Sequence, residues 1–554
     1  MQVSLSPQER TLVDAAVSHL LSGYNPQTGL VTEVMEGAPY RSVRNSMYLA
    51  LGLLIQEGSA QLPTALKICE AVLDLQLLNP EEIWHGTFRH PDDPPPPVCP
   101  VPFRDLTPRA RYMADVAWEK ITDRFSADLQ ENPALRDLAP EVLSQLRRSL
   151  LRTVPVAWDT YEPNLREFIG MTFAMLLEHF DTLLPEDMLR KLEASVRALM
   201  DGAVSRVKKS LTPLNTNIRI MYVFLADYFG TRFQEPAWKA EALREGRELE
   251  KEYLSLHACA EFNSPTYCGV DLSTLGFFRR YSRNEELVRI MNSLEEGIWR
   301  DMADFYNPDM RAFCGPYSRC YELDMSVHTC FYDLLYLTLG EDLFPWHPFS
   351  IESVIAPLTV LGSYKMPEDV KPRFLSPCRE RQVTRSFREL SERGDPDNNQ
   401  ALCTAHAFIS PDFMLGGMSG SRNTSYQLHT LVAFWRTNQG IGTLKLLRCL
   451  EDGEMCHLHY VDIDAQTEDR SAHVRAVSHV GRPVLLFLEF ECPGLNSDAF
   501  AGDVWHLPGL DLSLRTSLPL TVKPAGEKVY RVYFRLERDV PADLALSFTP
   551  VQGT

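Results

Sequence analysis

The feature that most constrains this chain is a change of period. Through the first two-thirds, apolar residues return at helical spacing, as in Phe168, Met171, Phe173, Met175 and Leu176. That pattern lines one face of a 3.6-residue helix. After Pro367-Glu368-Asp369 the apolar residues alternate with polar ones in short runs bounded by turn residues. A period of two is that of a strand with one face buried. A run of helices followed by a run of strands predicts a multidomain α+β protein.

The helical pattern covers roughly 8–22, 43–56, 62–77, 108–124, 138–153, 164–182, 186–209, 217–229, 236–255, 270–282, 285–304 and 326–338. Start signals agree: Leu184-Pro185-Glu186 and Thr212-Pro213 put proline near a first turn, and Asn164 precedes the next run. About twelve helices make about six hairpins, and no fixed repeat period argues for a regular solenoid. The expectation is an (α/α) toroid whose loops line one cleft. Residues 90–102, with four consecutive prolines, read as a stiff extended loop, the alternative being a peptide ligand for a proline-binding domain. Strand patterns at 426–435, 443–450, 473–480, 484–490, 510–515 and 528–536 predict an antiparallel β-sandwich. The Leu415–Gly420 stretch reads as a turn. The division is 1–365 for the toroid, 366–399 for a polar linker and 400–554 for the sandwich.

Charge narrows the partners. Lys and Arg number 55 against 74 Asp and Glu, a net of −19, with no sustained basic cluster. No nucleic-acid partner is expected. No apolar run reaches the length of a membrane span, so no membrane partner is expected. The start MQVSLSPQERTLVDAAVSHLL lacks the basic and apolar regions of a secretory signal. Twelve cysteines show no CxxC spacing. They read as buried reduced thiols, which together with the start predicts a cytoplasmic protein. Self-association into a homo-oligomer stays open. There is no P-loop, GxGxxG, GxSxG or HExxH, and no cofactor is expected. Cys456, His457, His459, His473 and His479 read as ordinary strand and surface residues rather than a zinc site.

Three polar loops can carry chemistry. The densest is 257–271, where Glu261, Asn263, Ser264 and Tyr267 precede an apolar helical run. Its alternative is a capping loop. The second, 313–328, holds Gly315-Pro316-Tyr317-Ser318-Arg319 and then Tyr321, Glu322, Asp324 and His328. The turn can aim Tyr317 and Arg319 into a cleft, where Arg319 can hold a carboxylate with two donors. Asp324 and His328 would share one face of the following helix. A buried Arg–Asp pair is the alternative. The third, 212–222, carries Asn215, Asn217, Arg219 and Tyr222, an anion site or a simple cap. Arg44 and His85 are outlying candidates that could reach the cleft.

The segment Glu261-Phe-Asn-Ser264-Pro265-Thr-Tyr267 resembles the E-x-x-S-P-x-Y loop of heparinase-II/III-like and alginate-lyase-like polysaccharide lyases. Asn215-Thr-Asn217 resembles the asparagine-bearing helix start of that group. Here Ile218 and Cys268 stand where histidines are common in it. The resemblance implies β-elimination on a uronic-acid oligosaccharide or polysaccharide, with Tyr267 as acid/base and Asn217 steadying the substrate carboxylate. Arg319 and Tyr317 are expected beside that carboxylate. His328 or His85 would be the base of an anti course. Arg319 or a protonated His328 is expected to lower the Tyr267 pKa. Asn215, Glu261, Asn263, Arg44 and Asp324 complete the expected binding set. The competing readings are a glycoside hydrolase with two carboxylates from Asp159, Glu261, Glu322 and Asp324, and a non-catalytic sugar-binding protein.

Overall fold

A computed structural model describes residues 3–35, 38–107, 139–152, 160–209, 215–325, 327, 330–344, 350–389, 401–422, 427–450, 461–480 and 483–551, with scattered positions from 109 to 128. The helices are α1 (Pro7–Ser22), α2 (Val43–Glu57), α3 (Leu62–Leu73), α4 (Ala139–Leu151), α5 (Leu165–His179), α6 (Glu186–Lys209), α7 (Thr216–Arg232), α8 (Pro236–Leu256), α9 (Pro265–Tyr281), α10 (Glu285–Phe305) and α11 (Phe331–Leu339). Two short helices, α12 (Ala356–Thr359) and α13 (Lys371–Leu375), follow.

Sequence decides which helices lie inside. In α5, Leu165 to Leu177 are all buried, and α2, α7 and α9 are buried over most of their length. Helices apolar all round need neighbours on every side. By contrast, α6, α8 and α10 each carry a charged face and bury one stripe. The inner helices form a ring by contact: α2 touches α5, α5 touches α7, α7 touches α9, α9 touches α11, α11 touches α1, and α1 touches α2. The outer helices α3, α6, α8 and α10 pack as hairpin partners of α2, α5, α7 and α9. This is the expected (α/α) toroid. Short hairpin connections make α5, α7 and α9 parallel, so their N-termini share one end of the ring.

Strands β6 (Arg381–Arg388), β7 (Leu402–Ile409), β8 (Phe413–Ser419), β9 (Leu431–Thr437), β10 (Gly440–Leu450), β11 (Val461–Glu468), β12 (Ser471–Ser478), β13 (Val484–Glu491), β14 (Val504–Leu507), β15 (Leu510–Thr516), β16 (Leu520–Pro524), β17 (Val529–Leu536) and β18 (Ala542–Pro550) follow. They form an eight-stranded sheet in the order β16-β17-β13-β10-β9-β8-β7-β6 and a five-stranded sheet in the order β11-β12-β18-β15-β14. Every ladder within them is antiparallel. The strands nearest the helices are apolar on both faces. In β8 (Phe413–Ser419), Phe413 and Leu415 join the sandwich core, while Met414 and Met418 join the core shared with the helices. In β9 (Leu431–Thr437), Leu431, Ala433 and Trp435 face one way and Val432 and Phe434 the other. Period two thus makes the large sheet a middle layer between helices and second sheet.

Several expectations need correction. The stretch 366–399, read as a linker, supplies β6 (Arg381–Arg388), paired along its length with β7 (Leu402–Ile409). Arg381 and Arg385, which share the face of the two anchors Val383 and Phe387 and bond to Asp304 and Tyr306, disguised that face as an exposed one. The 415–420 stretch is mostly strand β8 rather than turn. Helix α9 begins five residues earlier than the apolar pattern suggested, so Tyr267 sits in its first turn. Asp324 precedes α11 outside any helix, and His328 lies outside the described residues. Most of 108–124 lies outside them as well. A three-stranded antiparallel sheet, β1 (Tyr24–Asn25), β2 (Leu30–Met35) and β3 (Ala38–Ser42), stands between α1 and α2. A two-residue pair, β4 (Tyr306–Asn307) with β5 (Ala312–Phe313), follows α10. Such short strands carry too little alternation to read from sequence.

The loop after β5 lies on the large sheet. A Cβ at Gly416 would stand 1.8 Å from the Gly315 carbonyl oxygen, and one at Gly315 would stand 2.8 Å from Val432 Cβ. Backbone meets backbone there, which only glycine permits. Gly416→Ala is expected to destabilise the fold by at least about 1–3 kcal/mol. Calorimetry checks this, and an unchanged melting temperature contradicts the packing.

Candidate functional site

The site is built from two loops that lock together. Ser264 caps α9: its hydroxyl accepts from the Tyr267 N–H at 3.2 Å and donates to the Arg319 carbonyl. Asn263, at φ +47°, donates through Nδ2 to the Cys314 and Pro316 carbonyls at 2.8 and 3.0 Å. Asparagine tolerates that left-handed backbone better than most residues. Ser318 donates its N–H and hydroxyl to the Phe262 carbonyl. The sandwich pins the second loop from the other side. Tyr317 and His429 exchange backbone hydrogen bonds, and Cys320 N–H donates to the Gln427 carbonyl at 2.8 Å.

Arg319 stands at the centre. Its Nη1 donates to Glu261 Oε1 at 2.5 Å, its Nε to Gln427 Oε1 at 2.9 Å and its Nη2 to the Tyr267 hydroxyl at 2.9 Å. The guanidinium carbon lies 4.0 Å from the Tyr267 ring centroid. Glu261 also accepts from the Asn217 N–H at 3.0 Å. A carboxylate is thereby placed at the N-terminus of α7, where the helix dipole favours negative charge. Asn215, the N-cap residue of α7, makes no side-chain capping bond. With Glu261 doing the capping, Oδ1 of Asn215 and Oδ1 of Asn217 are buried without a hydrogen-bond partner.

Burial pushes the Tyr267 phenol well above its ordinary value, and the Arg319 charge offsets only part of that. This corrects the expectation of a lowered pKa: taking the phenolate out of water outweighs one nearby cation. Asp271, one turn further along α9, is also pushed well above the ordinary carboxylate range by burial, with Glu261 adding and Arg319 opposing.

The structure thus gathers Tyr267, Arg319, Glu261, Asn217, Asn215 and Asn263. Tyr317 is not a free cleft residue: it is buried and its hydroxyl donates to the Phe313 carbonyl. Arg44 lies 5.1 Å over the Phe168 ring in the first turn of α5, and the His85 carbonyl accepts from Arg166 in that same turn. Both belong to the end of the ring that holds Tyr267, yet among the described residues no hydrogen bond or ion pair links either to it. Burial holds His85 below the ordinary histidine pKa, with Arg166 adding. Asp324 is exposed. Asp159, His457 and His459 lie outside the described residues. His473 faces Asp543 at 3.4 Å and His479 faces Asp462 at 3.0 Å, two separate pairs.

Sequence reading missed Tyr321, whose hydroxyl is 2.9 Å from that of Tyr267. It also missed Gln427 and Asp271. Tyr321 lay inside a noted loop with nothing to mark its direction. Gln427 comes from the sandwich, which no local signal connects to Arg319.

His429 links the site to the sandwich. Its Nε2 lies 2.9 Å from the Cys320 carbonyl and Nδ1 is buried without a partner. Burial lowers its pKa from 6.5 to about 4, with Lys445 adding. The unfolded chain therefore binds a proton at a pH where the folded one does not. Its stabilisation is complete above about 6.5 and is lost as pH falls toward about 4, in total about 3 kcal/mol. Denaturant melts across that window are expected to show a steeper acid limb for wild type than for His429→Gln. Parallel limbs would count against it.

A protein-family model described as "Domain of unknown function (DUF8769)" matches residues 10–133 and 150–345. No curated protein matches the chain. Similar solved structures include a crystal structure of heparinase III, 10% identical at a TM-score of 0.39, covering 100% of this chain and 86% of that one. Heparan sulfate lyase HepC from Pedobacter heparinus is 10% identical at 0.29, covering 99% and 89%. A Streptomyces coelicolor A3 chondroitin AC lyase in complex with chondroitin sulphate is 8% identical at 0.34, covering 99% and 97%.

Proposed function

We propose, for a chain that belongs to the DUF8769 family, an activity that the description of that family leaves open: β-elimination at a uronic-acid glycosidic bond in an acidic oligosaccharide or polysaccharide. The observation that carries this reading is the Tyr267 phenol held by Arg319, whose partner Glu261 in turn accepts from the Asn217 N–H at the start of α7. After losing its own proton to solvent, Tyr267 takes the C5 proton as phenolate, the C4–O bond breaks, and the phenol so formed returns that proton to the leaving oxygen. No water is consumed, and one product carries a 4,5-unsaturated uronate. The Nδ2 groups of Asn217 and Asn215 donate to the substrate carboxylate where charge develops, and their oxygens are left to accept from sugar hydroxyls. In this reading Arg319 acts on Tyr267 rather than on the substrate, because three of its donors already serve Glu261, Gln427 and Tyr267.

The two-carboxylate hydrolase is less well supported. Glu261 spends one oxygen on Arg319 and the other on a backbone N–H, which favours its ionised form and unsuits it as a general acid. Glu322 and Asp324 are exposed.

A panel of uronic-acid glycans tests the reading in one assay. New absorbance from an unsaturated uronate is the expected result. New reducing ends without that absorbance would put the hydrolase ahead, and no product from any glycan would leave a binding protein. Because the resting phenol is protonated, turnover is expected to rise with pH through the neutral range.

A further inference from the structure

We propose that Tyr321 is a positioning residue for Tyr267: its hydroxyl is the second donor that, with Arg319, holds the Tyr267 oxygen when that oxygen is negatively charged. The inference rests on the reading of Tyr267 as the proton-transfer group. The two hydroxyls are 2.9 Å apart, while the rings sit 6.1 Å apart at 44°. The phenols therefore meet through their oxygens rather than by stacking.

Arg319 has no acceptor, so at 2.9 Å its Nη2 must donate to the Tyr267 oxygen. With Tyr267 neutral, either phenol can donate to the other. Once Tyr267 has lost its proton its oxygen can only accept, so the hydrogen between the two must come from Tyr321. The first proton to leave the pair does so with two donors in place, and a second would leave against that charge. During elimination the C5–H bond breaks and a Tyr267 O–H bond forms. That proton then passes to the leaving oxygen, and Tyr321 keeps its own throughout.

The groups around the pair come from every side. Arg319 belongs to the same loop as Tyr321, and Glu261 to the loop before α9. Asp271 and Cys268 lie on α9, and Cys320 precedes Tyr321; burial favours the neutral form of all three. The sandwich contributes the neutral amide of Gln427. Placement of Tyr321 is itself enforced, since Cys320 beside it is bonded through its backbone to Gln427 and to the His429 ring.

The test is Tyr321→Phe, which removes one oxygen, with a melting curve to establish that the variant is folded. The ionisation of Tyr267 is read from the near-ultraviolet tyrosinate band, as the difference between each protein and the same protein carrying Tyr267→Phe. It is expected to move up by about one pH unit when the Tyr321 hydroxyl is gone. The ascending limb of the pH–rate profile should move with it. Turnover then falls about tenfold below the limb and recovers above it. A titration that stays put or moves down, as it would if Tyr321 raised the Tyr267 pKa, or a loss of turnover equal at every pH, overturns the proposal. Should the wild-type protein cleave no glycan, the elimination reading falls, and the titration still decides whether Tyr321 holds Tyr267.

Discussion

Tyr267→Phe is expected to leave a folded, substrate-binding protein whose turnover is lower by 10²–10⁴-fold, the range for a general acid–base group. The substitution removes one oxygen from a half-buried ring whose backbone is set by the Ser264 cap and not by the phenol. The lost hydrogen bonds, from Arg319 and with Tyr321, concern groups that keep other contacts. A stability change of about 1 kcal/mol is the expected scale. Turnover and melting temperature should therefore part company. Retention of more than about a tenth of wild-type turnover would take proton transfer away from Tyr267. A large fall in melting temperature would mean that the phenol is a structural strut.

Arg319→Ala has the opposite signature, because stability and turnover should fall together. The Arg319–Glu261 pair is almost fully buried, with side chains 8% and 2% exposed. Removing the cation strands Glu261, a loss of about 3–5 kcal/mol for a broken buried pair. It also unties Tyr267 and Gln427. Arg319→Lys keeps the charge but cannot serve three acceptors in different directions, and an intermediate loss is expected. The decisive comparison is the double variant Arg319→Met with Glu261→Gln, which leaves no unpaired charge. It should melt above Arg319→Ala while remaining poorly active, since the phenol has lost its cation. If the double variant melts no higher than the single one, the penalty lies in packing and not in the stranded carboxylate.

How far the chain could be read in advance depended on how local each signal was. Helices α5 and α7 announce themselves by apolar residues on all sides, whereas the first turn of α9 was read as loop because Thr266 and Tyr267 precede the apolar run. The change from a 3.6-residue to a two-residue period is equally local, and it set the order of layers. Tyr267, Asn217 and Arg319, the residues proposed above to transfer the proton, meet the substrate carboxylate and hold the phenol, were visible for the same reason. β6 was not, because Arg381 and Arg385 interrupt the face of its two anchors, and the Asp304 that receives them lies on α10, far away in sequence.

The sequence by itself therefore determined the two architectures and the candidate residues. Only the tertiary structure decided how those residues are used. Glu261 caps a helix through Asn217, 44 residues before it, and Gln427 reaches Arg319 across 108 residues. Neither contact has a periodicity or a spacing to betray it. Tertiary packing also turned Tyr317 inward, brought Tyr321 to Tyr267, and raised rather than lowered the phenol's pKa. The physical reason is common to all three. Periodicity reports which face of an element is buried, whereas electrostatics and hydrogen bonding depend on what stands across the interface from that face.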